Sequence, residues 1–228
     1  MIRNDDPATP TEPAAGEPTI RHVVLIGDGL GNLAGIRGRG AGALEGKLRP
    51  GADQSWKITI LPADDLIRRP PLLEFPADAT HVLISIEGNR AIENSGLLAS
   101  QPASYQEGLA RLSFAADQFE DVVERLVNVA RATRLPTVLC TMWLPRYPEP
   151  VRQRAAAAAL AIFNDRILRR AVEARISIVD LRGVPTEAGD YADQTLMSKA
   201  GLQKAASVVW RALHEVSRGE PRTEIFYY

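Results

Sequence analysis

His22-Val23-Val24-Leu25-Ile26-Gly27-Asp28-Gly29-Leu30 is the stretch that decides how this chain folds. Val23 to Ile26 form a short, unbroken apolar run, and the chain leaves that run through Gly27, Asp28 and Gly29. A run of this kind suits a strand buried on both faces, as in a parallel sheet. Gly29 has no side chain, so nothing at that position can act as nucleophile or base.

Working outward, four more runs read as buried strands: Ile58 to Leu61, His81 to Ile86, Thr137 to Thr141, and Ile176 to Val179. Between the third and fourth, Leu112, Ala116, Phe119, Val123, Leu126 and Ala130 recur at helical spacing, with Asp117, Glu120, Asp121 and Arg125 turned outward. Pro136 stops that helix. A second helix is predicted from about Val151 to Ala174, along Leu160, Phe163, Ile167 and Ala171. A third carries Leu202, Ala205, Val209 and Leu213, with Ser198 placed to cap it. Strands alternating with helices predict a three-layer α/β/α sandwich on a five-stranded parallel sheet, a flavodoxin-like arrangement. Residues 1–18, rich in Pro, Ala and acid, read as a disordered tail. Residues 19–220 read as one α/β domain, and 221–228 as a C-terminal tail. The segment 31–50 is glycine-rich and a poor helix.

Composition removes several functions. The 228 residues hold 27 basic and 28 acidic side chains, so no basic excess exists to neutralise nucleic-acid phosphates. No apolar stretch approaches the roughly 20 residues of a membrane span, and Met1 to Gly16 lacks the apolar centre of a secretory signal. The single Cys140 excludes an internal disulfide and suits a reducing, cytoplasmic setting.

In open parallel sheets, ligands bind beyond the carboxyl ends of the strands. Asp28 and Gly29 follow the first strand there, Asp64 and Asp65 the second, and Glu87-Gly88-Asn89-Arg90 the third. The loop before the last helix is Asp190-Tyr191-Ala192-Asp193-Gln194-Thr195-Leu196-Met197. Gly27-x-Gly29-x-Gly31 is only a faint dinucleotide turn, because Asn32 stands where that fingerprint needs its last glycine.

The order of these blocks resembles the SGNH, or GDSL, hydrolases. It is most similar to short bacterial members, through Asp78-Ala79-Thr80-His81, Phe163-Asn164-Asp165, Asp180-Leu181-Arg182 and Asp190-Tyr191-Ala192. The resemblance implies a serine in the first block, an oxyanion-hole glycine in the second, and an oxyanion-hole asparagine in a Gly-x-Asn-Asp third block. It also implies a closing Asp-x-x-His that supplies the base and its orienting aspartate. Matched position by position, Gly29 replaces the serine, Asp65 the glycine, and Leu196 the histidine, while Asn89 and Asp193 are retained. Asp65 and Glu87 bring carboxylates where negative charge must develop.

The expectation is a catalytically degenerate protein, a pseudoenzyme that binds a small molecule or a protein. The alternative is an active esterase or acyltransferase on a small ester with unorthodox residues. Asp28, Asp65, Glu87, Asn89, Arg90 and Asp193 are expected to share one pocket. Its carboxylates would hold a cation, Mg²⁺ or Ca²⁺ rather than Zn²⁺, or else pair with Arg90. No other cofactor is expected, and self-association is left open. Ser85, Cys140 and Thr141, near strand ends, are the remaining hydroxyl and thiol candidates, each without an evident base.

Overall fold

Alternate side chains of each strand point to opposite faces of one sheet, and this alternation builds the layers. The computed structural model describes residues 20–27, 30, 57–61, 75–86, 102–217 and 222–228. The expected tail over 1–18 and the glycine-rich 31–50 lie outside the described residues. Strands β1 (His22–Ile26), β2 (Lys57–Leu61), β3 (His81–Ile84), β4 (Thr137–Cys140), β5 (Ser177–Val179) and β6 (Ile225–Phe226) form a sheet in the order β2-β1-β3-β4-β5-β6. Every pairing is parallel. Helices α1 (Tyr105–Ala132) and α2 (Pro150–Ala174) cover one face, and α3 (Lys199–Val216) covers the other. No described helix is long and apolar enough to cross a membrane.

Val24, Ile26, Val82, Ile84, Leu139 and Ile178 pack against Phe119, Val123, Leu126, Leu160, Phe163 and Ile167 of α1 and α2. Val23, Leu25, Leu83, Val138, Cys140 and Val179 pack against Ala205, Val209 and Leu213 of α3, together with Leu30 and Trp143. The helix starts follow local rules. Ser104 caps α1 by accepting from the Glu107 N–H, Pro150 opens α2, and Ser198 Oγ accepts from the N–H groups of Ala200 and Gly201 in α3. Between α1 and α2, the buried Glu120 carboxylate lies 3.1 Å from Arg166 Nε and 3.0 Å from Arg170 Nε, locking the two helices in register.

Three expectations are corrected. Among the described residues the sheet has six strands, not five. Residues 221–228 are not a free tail, because Ile225 and Phe226 pair with Ile178 and Val179. Strand ends also move inward: Ser85, Ile86 and Thr141 follow their strands, and Ile176 precedes β5. Successive crossovers through α2 and α3 advance the same way across the sheet but lie on opposite faces, so they have opposite hand. Chains with parallel strands rarely do this, so a two-residue strand beyond β5 is not anticipated from the pattern.

The amino ends of the strands carry a polar clamp. His22 Nδ1 donates to Asp78 Oδ1 at 2.8 Å, and His22 Nε2 lies 2.8 Å from Thr59 Oγ1. Lys57 Nζ meets the other Asp78 oxygen at 2.7 Å. Thr80 Oγ1 accepts from the N–H groups of Arg21 and His22, and His81 bridges Thr80 and Ser217. Together these tie β1, β2, β3 and the end of α3. Asp78, held by Lys57 and His22, falls to about 2.

His81 is 1% exposed, and burial followed by the charge of His214 lowers its pKa from 6.5 to about 4. The unfolded chain therefore takes up this proton first as pH falls. Stability is expected to drop between pH 6.5 and about 4, by roughly 3 kcal/mol in total. Urea midpoints across that window should fall more steeply in the wild type than in His81→Gln. Equal slopes would contradict a buried neutral imidazole.

Candidate functional site

The chain passes from β1 to β2 on one side and then returns to β3 on the other, so the strand order reverses between β1 and β3. A crevice outside the carboxyl ends of strands forms at such a reversal. Gly27 lies at that point with φ of 102°. Its N–H donates to the Leu61 carbonyl, and the Ser85 N–H donates to the Ile26 carbonyl, so β1, β2 and β3 meet there. Of the positions expected to form the site, Asp28, Gly29, Asp65, Glu87, Asn89 and Arg90 lie outside the described residues. Asp193 and Leu196 are described.

The loop from Asp190 to Met197 is fastened to the carboxyl side of the sheet. Trp143, just past β4, donates its indole N–H to the Thr195 carbonyl at 3.0 Å. The Arg146 N–H donates to the Gln194 carbonyl, and the Tyr191 hydroxyl lies between the carbonyls of Leu144 and Pro185. Trp143 is thus a buried brace for this loop. Asp190 is buried, accepts from the N–H groups of Thr186 and Glu187, and pairs with Lys204 at 2.8 Å.

Asp193 is occupied by its own turn. Its Oδ1 accepts from the N–H groups of Thr195 and Leu196, each at 2.7 Å, and from the Thr195 hydroxyl. Burial pushes this carboxyl up, but those donors outweigh it and hold it below the ordinary range. A carboxylate oxygen placed this way stabilises the loop that carries it. The residue that an imidazole would replace is Leu196, whose carbonyl accepts from the Ala192 N–H. No group of three or more metal-binding side chains comes together among the described residues.

Two of the three alternative nucleophiles are already engaged in the core or in hydrogen bonds. Burial pushes the Cys140 thiol far up, so no thiolate forms. Thr141 Oγ1 donates to Asp180 Oδ1 and accepts from the Leu181 N–H, and Asp180 is itself gripped by both Arg182 Nε and Nη2. Ser85 differs: it is 1% exposed, stands at the strand reversal, and its Oγ has no hydrogen-bond partner among the described residues. Sequence reasoning lists Ser85 but cannot separate it from the other two, because only the structure shows which hydroxyl is spent.

The phrases that carry the family resemblance prove to be braces. Asn164 donates to the Met142 carbonyl and accepts from the Met142 N–H, at 2.9 and 2.8 Å, completing the backbone where β4 ends. Asp180 with Arg182, Asp190 with Lys204, and Asp78 with His22 each fix a loop or strand end.

The same architecture recurs in solved structures. An extracellular lipase from Streptomyces rimosus matches with a TM-score of 0.58 at 15% identity, over 84% of this chain and 99% of the lipase. A putative lipolytic protein of the G-D-S-L family from Desulfitobacterium hafniense matches at 0.55 and 16% identity, over 84% of this chain and 98% of that one. The chain has the SGNH-hydrolase fold. A lipase/acylhydrolase from Enterococcus faecalis matches it at 0.58 and 14% identity, over 90% of this chain and 100% of that one. No protein-family model matches the sequence, and no curated protein does. What the SGNH fold brings to this chain is therefore its layout of loops, with chemistry decided by the residues in them.

Proposed function

We propose that this protein is an SGNH-fold binding module that has lost ester hydrolysis and recognises a small molecule or a protein at the carboxyl end of its sheet. The observation that carries this reading is the absence of any imidazole from that end. The chain has three histidines, and all are described. His22 and His81 open β1 and β3 at the amino end, and His214 lies in the last turn of α3. Gly29 in the serine position and the self-occupied Asp193 point the same way. Acyl transfer to a hydroxyl needs a base within hydrogen-bond reach. The buried single cysteine fits a reducing compartment, and we place the protein in the cytoplasm.

A second reading, hydrolysis through unorthodox residues, is favoured by one observation, the unpartnered hydroxyl of Ser85. Turnover of short p-nitrophenyl esters separates the two. Purified protein is expected to give background rates, and Gly29→Ser with Leu196→His is expected to add little while Asp65 and Glu87 remain. Loss of triad members leaves at most about 10³–10⁴-fold acceleration, and that remainder depends on an intact oxyanion hole. Wild-type turnover abolished by Ser85→Ala would overturn the binding-module reading.

A further inference from the structure

We infer that the opposite end of the sheet carries a site for a small phosphate-bearing anion, where the C-termini of α1 and α2 meet the starts of β4 and β5. A cavity of about 520 Å³ opens there, within the size range of small-molecule sites. Arg131, Arg134, Arg175 and Arg222 line it, with Glu215 and Glu224. Arg222 is paired with Glu224 at 2.7 Å. The side chains of Arg131, Arg134 and Arg175 make no ion pair or hydrogen bond among the described residues. The net charge of the whole chain is −1, so this positive patch is local and suits a compact anion rather than a polyelectrolyte.

The backbone supplies the independent observation. Arg134 and Arg175 have φ of 58° and 57°, and they are the only described non-glycine residues in the left-handed region. Both sit just past the end of a helix, where glycine adopts this conformation without a steric penalty. A basic residue near a helix C-terminus complements the helix dipole, which accounts for Arg131 in the last turn of α1. It does not account for arginine twice in a position that asks for glycine, at two neighbouring helix ends facing one cavity. Retained strain of this kind is concentrated at functional positions. The two helix ends contribute about half a negative charge each and Glu215 a further one, and the guanidinium groups of Arg131, Arg134 and Arg175 outweigh them. Guanidinium forks bind phosphate oxygens in pairs, which selects a phosphate-bearing group.

The test uses inorganic pyrophosphate and, separately, vesicles of phosphatidylcholine with and without phosphatidic acid. Pyrophosphate is expected to raise the melting temperature of the full chain. Arg134→Gly with Arg175→Gly should weaken its binding by roughly tenfold or more while leaving the unliganded melting temperature unchanged or raised, because glycine relieves the left-handed strain. Arg134→Asn with Arg175→Asn, which also tolerates that backbone, gives the same readout if the glycine pair fails to fold. Binding confined to phosphatidic acid vesicles, and lost in the variant, would identify the source as a lipid headgroup. Absence of binding to both probes, or a variant that binds like the wild type, would overturn the inference.

Discussion

Replacing Gly27 by alanine is expected to cost roughly 4 kcal/mol of stability, a large share of the roughly 5–15 kcal/mol margin of an ordinary domain. Gly27 sits at φ of 102°, and an added Cβ would lie 2.1 Å from the Ser85 carbonyl oxygen. That oxygen is backbone of the residue after β3, so it cannot swing away as a side-chain tip would. The whole β1–β3 junction must open, and the Gly27 N–H bond to Leu61 that holds β2 would go with it. Urea denaturation of Gly27→Ala should show a much lower midpoint, or soluble protein should fail to accumulate. A midpoint within experimental error of the wild type would mean that β1 does not abut β3 as described.

Asn164→Ala has the second large effect, about 3 kcal/mol. The amide side chain is 1% exposed and satisfies both the N–H and the C=O of Met142. Truncation leaves two buried backbone groups without partners, each at about 1–3 kcal/mol, and opens a small cavity beside Met142. The loop from Met142 to Tyr147, to which the Asp190–Met197 loop is fastened, should loosen as a unit. Hydrogen exchange is expected to rise at Arg146 and Leu196 in this variant. A loss under about 1 kcal/mol with unchanged exchange would show that the brace is not what holds the two loops together.

The layers were legible because each strand and helix states its period plainly. Val23 to Ile26 is apolar on both faces, and the stripe from Leu112 to Ala130 is apolar on one. The sixth strand was not legible, since Ile225 and Phe226 are too few to show a period and their crossover has the uncommon hand. The candidate site divides in the same way. Gly29 and Leu196 stand where the resemblance places the serine and the histidine, and that reading comes from the sequence alone, because a side chain without the functional group needs no geometry to be recognised. The partners of Asp193, Thr141 and Ser85 depend on which backbone N–H groups arrive within about 3 Å, and no spacing rule encodes that. The left-handed arginines were invisible for a related reason: the helix ends fall where the pattern predicts, but the sign of φ one residue later is set by packing.

The central claim, an SGNH fold without its nucleophile, is tested most directly by a fluorophosphonate probe, which forms a covalent bond only with an activated hydroxyl. The purified chain is incubated with excess probe, and its intact mass is measured. The account predicts the unmodified mass, because Gly29 has no hydroxyl and no imidazole stands at the carboxyl end of the sheet to activate Ser85 or Thr141. A stoichiometric adduct mapped to Ser85, absent after heat denaturation, would contradict it.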